Sequence, residues 1–156
     1  MKKFIVLLTL CIIASGLSNA QALEPEKYED IKNMIISQCK ILEEYIKGCE
    51  NVKEAKDVVV LLTKYKNGCQ ALLPDLKALM KKYGSLEKVI GENPPENLKP
   101  DLKKMEELTQ QLFGASIALG KYKEDPDVKK AQEEVNKVRQ EINRITNPKK
   151  EGEEEE

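Results

Sequence analysis

Cys39, Cys49 and Cys69 are the side chains of this chain best suited to chemistry, and they stand ten and twenty residues apart. A thiol can serve as a nucleophile, a metal ligand, a redox centre or half of a disulfide. These spacings match no Cys-x-x-Cys metal or redox motif. The sequence contains no histidine. That removes Ser–His and Cys–His nucleophilic pairs and the zinc sets that use imidazole. Acidic residues are plentiful enough for paired carboxylates, but they fall on polar helix faces, where a solvated surface accounts for them. No glycine loop shaped to cradle a phosphate occurs. No catalytic residue, cofactor site or metal site is therefore expected, and the chain reads as non-enzymatic.

The setting of the thiols comes from the N-terminus. Met1-Lys2-Lys3 is basic, Phe4 to Ala14 is almost unbroken apolar, and Ser18-Asn19-Ala20 is small and polar. This is the pattern of a secretory signal peptide cleaved near Ala20, which places the remaining protein outside the cytosol, secreted or periplasmic. It takes Cys11 with it. Leu10 precedes Cys11, where a lipid-attachment site requires a small residue. No other apolar run is long enough to span a bilayer.

Extracytoplasmic thiols are free to form disulfides. If Gly48 to Glu50 is a hairpin turn, Cys49 lies at one end of the helix pair and Cys69 roughly 20 Å away at the other. Cys39 and Cys49 are separated by about 15 Å along one helix, against the roughly 7 Å that a disulfide tolerates. Cys39–Cys69 is the pairing left, offset by about 6 Å, with Cys49 the odd thiol, exposed at the turn and able to link two chains; the alternative is that all three cysteines are buried as small hydrophobes.

Helical periodicity runs through the rest of the chain, and residues 21–148 read as one all-α domain, a small bundle of about four to five helices ending in an antiparallel αα-hairpin. The first helix is expected from Pro25 to Lys47, stopped by Gly48 as a C-terminal cap. Asn51 to Glu54 reads as a capping box for a second helix that ends at Asn67-Gly68. A third segment starts at Pro74 and closes at Gly84. A single helical turn is expected from Ser85 to Gly91, and Asn93-Pro94-Pro95 is a linker. A broad-faced helix from Pro100 to Lys121 follows. Asp125 then caps the last helix, with Pro126 at its first position.

Two features recur or stand out. Tyr45 with Gly48-Cys49-Glu50 is echoed by Tyr65 with Gly68-Cys69-Gln70, read as two helix stops with the same glycine cap. The last helix carries Val128, Ala131, Val135, Val138, Ile142 and Ile145 at alternating steps of three and four, a narrow seam of the coiled-coil type. Its natural partner is the broad-faced helix before it. In that helix, the small residues from Gly114 to Gly120 are read as a tight packing surface, with the floor of a groove for an apolar ligand as the sharper reading.

Lys and Arg total 26 and Asp and Glu 27, and Glu151 with Glu153 to Glu156 concentrates acid in a tail, residues 149–156, that reads as solvated and disordered. The near-neutral body offers no electrostatic footprint for nucleic acid. These features point to a non-catalytic helical protein that acts through an unknown protein partner or through self-association. A carrier of a small apolar ligand or lipid, held between amphipathic helices, is the alternative.

Overall fold

The computed structural model describes residues 28–86, 90–91 and 94–147. The signal-peptide pattern, the Pro25 helix start, part of the turn expected over 85–91, and the acidic tail lie outside these residues. Five α-helices and no strand make up the described elements: α1 (Glu29–Glu50), α2 (Ala55–Ala71), α3 (Leu73–Tyr83), α4 (Lys99–Ala118) and α5 (Pro126–Thr146), with a 3-10 turn at Leu119–Tyr122. Leu72 alone separates α2 from α3, so the two run end to end. The fold is a small all-α bundle.

Local chemistry sets most of the helix ends. Asp125 caps α5: its Oδ1 accepts from the backbone N–H of Asp127 at 3.0 Å and of Val128 at 3.1 Å. Gly84 ends α3 with φ of 73°, the left-handed conformation that favours glycine. The capping box of α2 sits three residues later than expected. Asp57 Oδ2 accepts from the N–H groups of Lys53 and Glu54 at 2.9 and 3.1 Å. Asn51 instead closes α1, its side-chain amide donating to the Lys47 carbonyl at 2.8 Å.

Gly48 and Gly68 are not helix stops. α1 continues through Gly48 to Glu50, and α2 continues through Gly68 to Ala71. What both glycines provide is room for a neighbouring helix. A Cβ at Gly48 would overlap Leu61 Cδ1, and one at Gly68 would sit 3.1 Å from Ile41 Cγ1. The echo noted in the sequence is therefore longer than a Tyr and a Gly-Cys. Ile41-Leu42, Tyr45 and Gly48-Cys49 recur as Leu61-Leu62, Tyr65 and Gly68-Cys69. Ile41 fills the space at Gly68, and Leu61 fills the space at Gly48. Between these two contacts the Tyr45 and Tyr65 rings meet, with centroids 4.8 Å apart. Numbers rise on one helix as they fall on the other, the register of an antiparallel pair with a local two-fold relation.

The other two long helices dock on the outside of this pair. α4 packs chiefly on α1, and α5 packs on α2 and α3. Asp101 and Lys104 of α4 lie beside Cys39 and Glu43 of α1, with Lys104 Nζ 2.7 Å from Glu43 Oε1, so α4 and α1 run parallel. Glu134 lies near Lys66, and Glu141 bridges Lys77 at 3.0 Å, so α5 runs parallel to the α2–α3 rod. α4 and α5 are thus consecutive and antiparallel, as an αα-hairpin requires. They hardly touch along their lengths, however, because each packs on a helix of the first half. The seam of α5 does not meet the broad-faced helix, as expected, but α2 and α3.

Two contacts tie the ends. Tyr122 Oη donates to the Lys53 carbonyl at 2.6 Å, pinning the α4–α5 turn on the α1–α2 turn. At the opposite end Asp30 accepts from Lys82 Nζ at 2.7 Å and Tyr83 Oη at 2.9 Å, holding α3 to the start of α1. Partial burial pushes the Asp30 carboxyl up. The hydrogen bonds from Lys82, Tyr83 and the Ile31 amide outweigh it and hold the carboxyl below its ordinary value.

Candidate functional site

Where α1 and α2 interlock, all four long helices contribute to a polar layer at the centre of the bundle. Tyr45 and Tyr65 form its floor, buried to 6% and 8% exposure. Around Tyr45 lie the Cys49 thiol, the Ser116 hydroxyl of α4 and the Arg139 side chain of α5; around Tyr65 lie Cys69 and the same Arg139. Helix periodicity explains why these residues converge. Each cysteine is four residues beyond its tyrosine, one turn along the same face. Arg139 follows Val138 by about 100° around α5, on the side away from Glu134 and Glu141, which face α2 and α3. It therefore points into the space between α5 and α4.

Burial dominates the electrostatics. It pushes the Tyr45 and Tyr65 phenols well above their ordinary value, with the nearby thiols adding to the rise and Arg139 opposing it. Burial raises the Cys49 thiol to about 11, against a partial lowering by Tyr45. Cys69 is raised by burial too, against Tyr65 and Arg139, and Cys39 by burial against Lys104. At neutral pH the thiols and phenols are protonated. None is a thiolate poised for attack.

All three thiols are free and buried. The expected Cys39–Cys69 disulfide is not formed, and Cys49 is not exposed at the turn. The antiparallel register sets Cys39 and Cys69 at nearly the same height, so level is not what separates them. The separation is angular. Ile41 faces α2, and Cys39, two residues earlier, is rotated by about 200°. Its thiol is directed to α4, 3.9 Å from the Asp101 carbonyl oxygen, while Cys69 stays beside Tyr65.

The α5 seam is spent inside the bundle. Val128, Val135 and Val138 are buried, and Ala131, Ile142 and Ile145 pack partly buried against the core. Ile36 of α1 and Val60 of α2 are exposed singly, and on α4 Phe113 and Ile117, one turn apart, are 50% and 60% exposed. The small residues beside them do not receive a neighbouring helix: nothing stands within 4 Å of a Cβ built at Gly114 or Gly120. On the α1 side of α4, Ala115, Ala118 and Gln111 form a shallow, open groove of about 300 Å³ with Ile46, Cys49 and Glu50.

Arg139 is the residue that sequence reasoning missed. Its Nε is buried and has no hydrogen-bond partner among the described residues. None of the ion pairs among those residues includes it. One signal was available: the chain has 24 lysines and two arginines, and Arg139 sits directly beside a seam position. Among the described residues no group of three or more Cys, Asp or Glu is placed to hold a metal ion, and no helix is long and apolar enough to cross a membrane.

No family model, curated protein or solved structure matches the chain.

Proposed function

We propose that the protein is a non-catalytic binding module, secreted or periplasmic, that engages a protein partner or a second copy of itself through the outer face of α4. The observation that carries this reading is the Phe113–Ile117 pair. Isolated exposed apolar residues are ordinary on protein surfaces, but an aromatic and a branched residue one turn apart make a helix-borne anchor of the kind partners bury. Gly114 beside them adds no bulk, so another helix can approach closely. The non-catalytic part of the reading is supported by thiols held in the protonated form and by a sequence without histidine. The secreted setting is supported by the pattern of the first twenty residues.

Sedimentation of the wild type and of Phe113→Glu and Ile117→Glu tests it, together with photo-crosslinking from position 113 in the native secretion. The expected result is a complex, with itself or with one partner, that both substitutions dissolve while leaving the melting temperature nearly unchanged. A wild type that stays monomeric and crosslinks to nothing overturns the reading.

A second reading, a carrier of an apolar ligand, is favoured by one observation: α4 and α5 leave the fourth side of the bundle scarcely packed. Organic extraction of natively purified protein followed by mass spectrometry separates it from the first, since a carrier retains stoichiometric lipid.

A further inference from the structure

We infer that the unpacked side between α4 and α5 is a binding site for a single-chain carboxylate amphiphile, with Arg139 as the group that grips the carboxylate. The inference rests on the carrier reading of that side and is independent of the Phe113–Ile117 face as a protein-docking surface.

The polar layer is unbalanced. Tyr45 is hydrogen-bonded with Ser116 and Cys49, and Tyr65 with Cys69, whereas the Arg139 Nε donor is buried and has no partner among the described residues. All seven ion pairs of the described residues are made by lysines, on the outside of the bundle. A buried donor left unpaired costs free energy that a native fold rarely tolerates without a partner. The missing group is an acceptor, and a negatively charged one, because a guanidinium drawn in among phenols has given up part of its hydration without gaining a counter-charge. A carboxylate fits best, because it takes two parallel N–H donors from the planar fork. The use of arginine at this position, in a chain that places lysine almost everywhere else, has the same explanation, since an ammonium cannot make the paired contact.

The rest of the ligand must be apolar. Lys104 and Gln111 mark the α1 side of α4. Met105, about 100° around α4 from Lys104, is turned toward the gap, and on α5 Ile142 lies between Val138 and Arg139 around the helix. Both are partly buried. A slender alkyl tail lying between the two helices would cover what they do not cover for each other. Opening the gap disturbs little packing, because α4 and α5 are each held by another helix.

The test is titration of the full chain, below micelle concentrations, with decanoate, decanol and acetate, followed by calorimetry and by the tyrosine ultraviolet difference spectrum. Decanoate is expected to bind saturably, one per chain, to raise the melting temperature and to perturb the tyrosine spectrum. Decanol and acetate each lack half of the ligand and are expected to bind at least about tenfold more weakly. Arg139→Lys, which keeps the charge and loses the fork, should weaken decanoate by about tenfold, while Phe113→Glu dissolves any complex with a partner without releasing the carboxylate from Arg139. Decanol binding as tightly as decanoate would leave the carrier reading standing and overturn the role of Arg139. The same holds for unchanged decanoate affinity in Arg139→Lys. Absence of saturable decanoate binding to the wild type overturns the inference without reference to any variant.

Discussion

Leu61 of α2 occupies the space that a side chain at Gly48 of α1 would need, and Ile41 of α1 does the same at Gly68 of α2. The pair is a reciprocal interlock in which each helix offers one branched residue and one bare backbone position. The close approach it permits brings Tyr45 and Tyr65 into contact on the central face of the bundle.

The glycines should respond to alanine in a fixed order. Gly114→Ala puts a methyl group into open space on a helix and should stabilise the protein by about 0.5–1 kcal/mol through helix propensity alone. Gly68→Ala meets Ile41 at 3.1 Å, so the propensity gain and the tight contact should nearly cancel. Gly48→Ala forces the buried Leu61 side chain out of place and should cost about 1 kcal/mol net, overpacking exceeding propensity. Denaturant midpoints of the three variants check the order. Equal stabilisation by Gly48→Ala and Gly114→Ala would show that the helices do not interlock there.

The thiols should be silent in the native protein and free on unfolding. Peptide mapping without reduction should yield no Cys39–Cys69 peptide, and a thiol reagent at neutral pH should label Cys39, Cys49 and Cys69 only in denaturant. Burial also links these groups to pH. Cys49 is raised from 9.0 to about 11 in the folded protein, so between those values the folded state holds more protons than the unfolded one. Stability is therefore full below pH 9 and is lost as pH rises toward 11. Cys49→Ala should flatten that alkaline limb. Chemical unfolding at a series of pH values reads it directly, and an unchanged limb in the variant would count against burial of this thiol.

Val138 and Lys137 are adjacent in sequence and should differ sharply in effect. Val138 is 5% exposed and packs in the bundle, so Val138→Asp buries an unpaired carboxylate and should cost about 3 kcal/mol or more. Lys137 is on the outer surface and pairs only with Glu134, one turn back. Lys137→Asp should change the melting temperature little. Similar melting temperatures for the two variants would mean that α5 is not docked.

Much of this was legible in the sequence, and the parts that were share a cause. Helix type, the Asp125 cap, the Gly84 stop and the α5 seam follow from interactions within a few residues along the chain. Periodicity and capping chemistry report such interactions directly. The same locality explains the misplaced capping box. Asn51 and Glu54 have the right types at the right spacing, but Asp57 lies nearer the amides of Lys53 and Glu54 once α1 runs on past Gly48.

What the tertiary structure alone decided is which face meets which neighbour. A seam at steps of three and four says that α5 buries Val128, Val135 and Val138. It does not say that α2 and α3 cover them rather than α4, because several antiparallel arrangements bury the same stripe. A glycine in a helical stretch reads equally as a stop, a contact or a gap. Gly48 and Gly68 are contacts, and Gly114 and Gly120 are gaps, solely because of where α2 and α5 lie. Rise per residue offsets Cys39 from Cys69 by about 6 Å, yet bonding depends also on the angle around the helix, and that angle acquires a meaning only when Ile41 is known to face α2. Arg139 carries the same lesson. Its type was visible in the sequence, but that its Nε has no partner among the described residues is a property of the space between two helices that hardly touch.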